Sequence, residues 1–141
     1  MKKFMILMLM LGMGAFVFAQ DEMKPMKYEG STWYEMNYMD LKPGKTSAVK
    51  KLIKKYETAS ESAGTPMPHL YWCVTGKYDL LVVWKMDGGP SDLEWKWQQS
   101  GIDWWKAFVK QEGSEEAANK VQEEFDSYIA GSNSQIVRAD P

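Results

Sequence analysis

The chain has 141 residues, enough for one domain, with 17 Lys+Arg against 19 Asp+Glu, 26% charged and 45% hydrophobic residues. That composition excludes a disordered tail, and the lack of a basic excess removes the electrostatic drive for nucleic-acid binding. One cysteine, Cys73, excludes an intramolecular disulfide and any Cys-rich metal site, whereas 7 Trp, 7 Tyr and 5 Phe give an aromatic-rich chain.

Lys2 and Lys3 precede an uncharged run, Phe4–Phe18, that ends in Val17-Phe18-Ala19. This is the pattern of a secretory signal peptide cut after Ala19. The run is shorter than the ~20 apolar residues of a membrane span and lacks a basic stop-transfer flank, so no stable membrane insertion is expected after cleavage. The expected destination is periplasmic or extracellular. Cleavage of residues 1–19 removes two lysines and no acid, leaving 122 residues with 15 basic and 19 acidic groups, a formal charge of −4, and 16 aromatics. Residues 20–30 are polar and read as a flexible lead-in, and residues 31–141 as the folded domain.

Ser31–Leu41 is rich in aromatic and β-forming residues and stops at Lys42-Pro43-Gly44, which predicts a first strand and a turn. The period then changes. Val49, Leu52, Ile53 and Tyr56 fall on one helical face, with Lys50, Lys51, Lys54 and Lys55 on a solvated face. Thr46 or Ser47 is the expected N-cap and Gly64 the left-handed C-terminal residue. His69–Thr75 and Tyr78–Met86, around Gly76-Lys77, predict a β-hairpin closed by Asp87-Gly88-Gly89-Pro90. A two-residue turn would place Tyr71 opposite Val82. A longer loop would pair Cys73 with Asp79 and Tyr71 with Leu81, and the sequence leaves both open.

Ser91 with Glu94 has capping-box spacing, Ser100 with Asp103 offers a second start, and Leu93–Gln99 reads as a short helix or a loop. Ile102, Trp105, Phe108 and Val109 give helical spacing up to Gly113. Ser114 caps a further helix whose apolar face is Ala118, Val121, Phe125, Tyr128 and Ile129, ended by Gly131. Ser134–Arg138 is the expected last strand. The order β-α-β-β-α-(α)-β is an α+β, ferredoxin-like arrangement: a four-stranded antiparallel sheet with helices on one face.

Thr75-Gly76-Lys77-Tyr78-Asp79-Leu80-Leu81-Val82-Val83, with Ser132-Asn133-Ser134-Gln135-Ile136-Val137 at the last strand, resembles the dimeric α/β-barrel superfamily. The hairpin is most similar to the "TG-x-YD-LL" segment of the ligand-binding domains of AsnC/Lrp-type regulators. Stress-responsive barrel proteins, antibiotic-biosynthesis monooxygenases and polyketide cyclases share the architecture. The layout covers about residues 31–138, the matching residues only 75–83. The resemblance implies a homodimer in which two sheets pair face to face. The apolar character of both sheet faces argues the same way independently.

Several residues are candidates for chemistry. His69, the sole imidazole, alternates with Tyr71 and Cys73, and His69 with Tyr71 forms a candidate acid–base pair; the alternative is a strand-edge histidine. Glu35, Asn37 and Asp79 can place polar groups in an aromatic-lined cavity, although Asp79 equally suits a turn-side acceptor of backbone N–H groups. Cys73 is read as a buried small hydrophobe, with ligand contact as the functional alternative, and lies too far along the strand from His69 to share a metal with it. Trp95 and Trp97 can stack a ligand or line an interface, and Trp105 suits the core. No phosphate loop or nucleophile triad is present, and neither a metal nor a cofactor is implied. The leading expectation is an exported α/β-barrel protein that binds a small apolar or aromatic molecule. The alternatives are a cofactor-independent monooxygenase, isomerase or cyclase using His69 and Tyr71, and an interaction module.

Overall fold

The structure, a computed structural model, describes residues 24–141; the signal-peptide segment lies outside the described residues. Strand β1 (Thr32–Leu41) leads into helix α1 (Thr46–Ala63), then β2 (His69–Trp72) and β3 (Leu80–Met86). A 3₁₀ turn (Gly89–Glu94) precedes α2 (Gln99–Glu112), α3 (Glu115–Ser127) and β4 (Ile129–Ala139). The strands form one antiparallel sheet in the order β2-β3-β1-β4, with the first and last strands side by side. That order with these crossovers is the ferredoxin-like fold.

Sheet and helices meet where Leu41, Val49, Leu80 and Val82 are buried among Met39, Ile53, Leu70, Trp72, Phe125 and Tyr128. Because side chains alternate along a strand, this cluster fixes the helix-side face: Trp33, Glu35, Asn37 and Met39 on β1, with Leu80, Val82, Trp84 and Met86 on β3. A second cluster lies between the helices. Leu52, Ala59, Phe108, Ala118 and Val121 are packed by Tyr56, Trp104, Trp105, Val109 and Phe125. Trp105 is therefore a core residue, as expected, but between helices and not against the sheet. Burial and the nearby carboxylates of Asp126, Glu124 and Glu112 push the Tyr56 phenol far above the usual tyrosine range.

The other face of the sheet carries Tyr34, Met36, Tyr38, Tyr71, Leu81, Val83 and Val137 with no helix over it. On this face Tyr38 packs on Tyr78 of the hairpin loop, their ring centroids 5.4 Å apart. An apolar sheet face of this kind calls for cover.

Helix ends and strand limits refine the expectations from sequence. Gly64 adopts φ 64°, and the N–H groups of Gly64 and Thr65 donate to the Glu61 and Ser60 carbonyls, a Schellman closure. Ser114 caps α3 by accepting from the Ala117 N–H at 3.1 Å. The α1 cap differs: Lys45 occupies that position in a right-handed helical conformation and no side chain caps it, because the Lys42–Gly44 turn feeds directly into the helix. Ser91 does not build a capping box either. Its hydroxyl donates to the Gly88 carbonyl, and the Asp92 carboxylate accepts the Gly88 N–H.

The largest departure is at α3, which ends at Ser127. Ile129 already pairs with Leu41, so Tyr128 and Ile129 leave the helix and Gly131 sits within β4. Pairing with the long β1 overrides the helical period. The hairpin strands are shorter than expected and take the longer-loop register: Tyr71 faces Leu81, and the Cys73 N–H donates to the Asp79 carbonyl at 2.8 Å.

Candidate functional site: a tryptophan-walled cleft on the helix side of the sheet

Beyond Val82 the helix side of the sheet opens. Three cross-strand rows lie there, Val82–Asn37–Ser134 nearest the core, then Trp84–Glu35–Ile136, then Met86–Trp33–Arg138, and Glu35, Trp84 and Met86 of them form the floor of a cleft. Trp84 and Ile136 are 39% and 38% exposed, although they lie on the same face as the fully buried Leu80. Glu35 thus stands between an indole and an isoleucine, and Ser134 Oγ donates to its Oε1 at 3.3 Å.

The opposite wall is the 3₁₀ turn and the segment after it. Together they enclose a cleft of about 220 Å³ lined by Glu35, Trp84, Lys85, Met86, Asp92, Leu93 and Gln98. Gly89 sets how close this wall comes. It is buried at φ 62°, and a Cβ there would lie 3.3 Å from Trp33 Cδ1. Gly88 is equally constrained, since a Cβ would collide with the Asp92 carboxylate that anchors the turn. With Asp92 occupied in this way, Glu35 is the carboxylate left to face a ligand.

The outer end is closed by a clasp. The Arg138 guanidinium stacks 3.3 Å from the Tyr28 ring centroid, lies 5.8 Å from that of Trp33, and pairs with Asp140, which also accepts from Ser31 Oγ at 2.9 Å. The cleft combines apolar surface from Trp84, Met86 and Leu93 with polar groups from Glu35, Lys85, Asp92 and Gln98, and Glu35 supplies an acceptor carboxylate on the sheet side.

A second groove, of about 310 Å³, adjoins the first through Gln98 and is lined by Trp95, Trp97, Gln98, Gln99 and Ile102. Trp95 and Trp97 are 67% and 66% exposed.

The residues singled out from sequence are therefore dispersed. Glu35 lines the cleft while Asn37 lies on the same face one row nearer the core, and Trp95 and Trp97 share the neighbouring groove. Asp79 serves the backbone: β3 begins only at Leu80, so the Leu41 N–H lacks a strand partner and donates instead to Asp79 Oδ2 at 2.8 Å. Cys73 is half-buried at the hairpin end and free. His69 and Tyr71 do share a face, but it is the open face; both are exposed, and among the described residues no side-chain hydrogen bond orients either. Trp84, Leu93, Gln98, Ser134 and Ile136 were not foreseen. Trp84 and Ile136 could have been found only from the β1 register, which places both opposite Glu35. Among the described residues no group of three or more His, Cys, Asp or Glu is placed to hold a metal ion, and no helix is long and apolar enough to cross a membrane.

No family model matches the chain, and no curated protein matches it. Among solved structures, a NIPSNAP family protein of unknown function from Agrobacterium tumefaciens C58 is 13% identical with a TM-score of 0.49, over 77% of this chain and 88% of that one. A provisionally assigned antibiotic biosynthesis monooxygenase from Nitrosomonas europaea is 12% identical with a TM-score of 0.39, over 77% and 97%. A dimeric ferredoxin-like protein of unknown function from Thermobifida fusca is 11% identical with a TM-score of 0.36, over 84% and 99%. The fold assignment rests on the strand order and crossovers of this chain itself.

Proposed function

We propose that this chain is a binding protein for a small, flat, largely apolar molecule that presents a hydrogen-bond donor or a positive charge to Glu35. The observation that carries this reading is the row Trp84–Glu35–Ile136, a carboxylate set between exposed apolar side chains on the face that also carries the buried Leu80, Val82 and Met86. A thermal-shift screen of aromatic amines, phenols and lipid-like metabolites tests it. Hits should raise the melting temperature of the wild type and lose most of that shift in Trp84→Ala and Glu35→Gln. A crystal structure in which Leu93 and Trp84 fill the cleft completely would refute it.

The same reading includes export and self-association. The amino-terminal pattern supports cleavage after Ala19, which amino-terminal sequencing of the exported protein would test. The open face, with Tyr34, Met36, Tyr38, Leu81 and Val83, supports a homodimer built sheet to sheet. Sedimentation at micromolar concentration should then give a dimer, and Leu81→Lys, which puts a charge at a half-buried position between Tyr38 and Tyr71 on that face, should give a monomer.

A further inference from the structure

We infer that the groove lined by Trp95, Trp97, Gln98, Gln99 and Ile102 is a saccharide-binding site, distinct from the sheet-side cleft and sharing only Gln98 with it. Its lining contains two indoles, two neutral amides and one aliphatic side chain, and no ionisable group. Both indoles are about two-thirds exposed, whereas Trp104 and Trp105 of the following helix are packed into the helical core. Exposed indole faces carry a negative quadrupole, which suits the weakly positive C–H face of a sugar ring.

The hydrogen-bonding groups narrow the ligand further. Gln98 Nε2 donates to the Asp92 carbonyl at 3.4 Å, and Gln99 Nε2 donates to Asp103 Oδ1 at 2.8 Å. Each amide thus has one N–H engaged and keeps its second N–H and its oxygen, and among the described residues neither oxygen receives a hydrogen bond. Helix α2 begins at this groove with Gln98 at its cap position and no side-chain cap, so first-turn N–H groups stand open beside those acceptors. A ligand that matches both must donate and accept with neutral groups. A hydroxyl does both. A phosphate or carboxylate, which only accepts, would leave the glutamine oxygens unmatched, and a purely aromatic molecule would use neither set. The volume falls at the lower end of the ~300–1,000 Å³ range of small-molecule sites.

The test is isothermal titration of the purified protein with cellopentaose, N-acetylchitopentaose and maltopentaose, with tryptophan fluorescence followed in parallel. At least one should bind with a dissociation constant of about 1 mM or tighter. Trp95→Ala and Trp97→Ala should each weaken it about tenfold. Both side chains are largely exposed, so these variants should keep the wild-type melting temperature. Gln99→Leu, which keeps the helix and removes the acceptor, should weaken binding several-fold, while Trp84→Ala and Glu35→Gln should leave it unchanged. Loss of saccharide binding in Trp84→Ala would move the site to the sheet-side cleft and overturn the inference. So would the absence of binding by all three sugars, or binding unaffected by Trp95→Ala and Trp97→Ala. Adsorption to phosphatidylcholine vesicles through Trp95 and Trp97 without saccharide binding would make this a membrane contact instead.

Discussion

The two ends of the helix-side sheet face are built from similar residues and have different fates. At the Leu41 end, Leu80 and Val82 lie under α1 and α3, with Val49 and Phe125 filling the space between. At the Trp33 end, residues of comparable hydrophobicity, Trp84 and Ile136, meet only a short 3₁₀ turn and stay more than one-third exposed. The difference lies in the covering element and not in the strands. An 18-residue helix can bury a face, whereas a six-residue turn, let close to Trp33 by Gly89 and anchored by Asp92, covers too little of it and leaves a slot. A polar residue is tolerated where the slot opens. Glu35 occupies that end, and the equivalent positions of the closed end are Met39 and Leu41.

If the closed end carries stability and the open end carries binding, mutations should separate them. Phe108→Ala, which empties a fully buried site in the helical core, should cost about 3–5 kcal/mol, and Leu80→Ala about 2–5 kcal/mol; both are read by chemical denaturation. Asp79→Ala should cost about 1–3 kcal/mol by leaving the Leu41 N–H without its acceptor, and Asp79→Asn should recover part of that loss because its carbonyl still accepts. Trp84→Ala, at a site already 39% exposed, should cost about 1–2 kcal/mol, less than Leu80→Ala, while removing most of the ligand-induced thermal shift. A cost at Trp84 as large as that at Leu80 would erase the distinction.

The smallest expected effect concerns pH. Burial disfavours the charged form of Glu112, but hydrogen bonds from Lys55, at 2.7 Å, and from Gln111 outweigh it and hold the carboxyl below its usual value. A lowered folded-state pKa makes the contribution complete above the unfolded value of ~4.3 and lost as pH falls through the folded value. Lys55→Met should therefore lower stability at neutral pH, leave it little changed below the folded-state value, and so flatten the acid limb of the stability profile. An identical acid limb would assign no weight to this pair.

Much of the fold was legible because local rules and tertiary structure agree. Gly64 and Ser114 end and start helices where their chemistry requires, and the Val49–Tyr56 spacing marks the buried face of α1. The α3–β4 boundary was hidden because Tyr128 and Ile129 satisfy a helical period and a strand equally well, and only pairing with Leu41 decides between them. The site was harder to read. Every residue from Thr32 to Asp40 is half-buried, so β1 shows no inside–outside alternation, and its register against β3 leaves no trace in composition. Glu35 could be singled out as a polar residue on an apolar strand, but its neighbours Trp84 and Ile136 could not. His69 and Tyr71 illustrate the same limit: alternation placed them together correctly, but nothing in the sequence said that their face is the one without helices.

The adjacency of β1 and β4 sets the order in which the molecule can be completed. Thr32 pairs with Ala139, and Ser31 is hydrogen-bonded to Asp140 across 109 positions of chain. β1 therefore lacks one neighbour until β4 has been made. Before that point the chain can form α1 and the β2–β3 hairpin, whose contacts are local, but not the four-stranded sheet. Long-range pairing that must wait for β4 thus makes completion of the sheet a late event, and a variant lacking β4 should expose the β1 edge and lose cooperative unfolding.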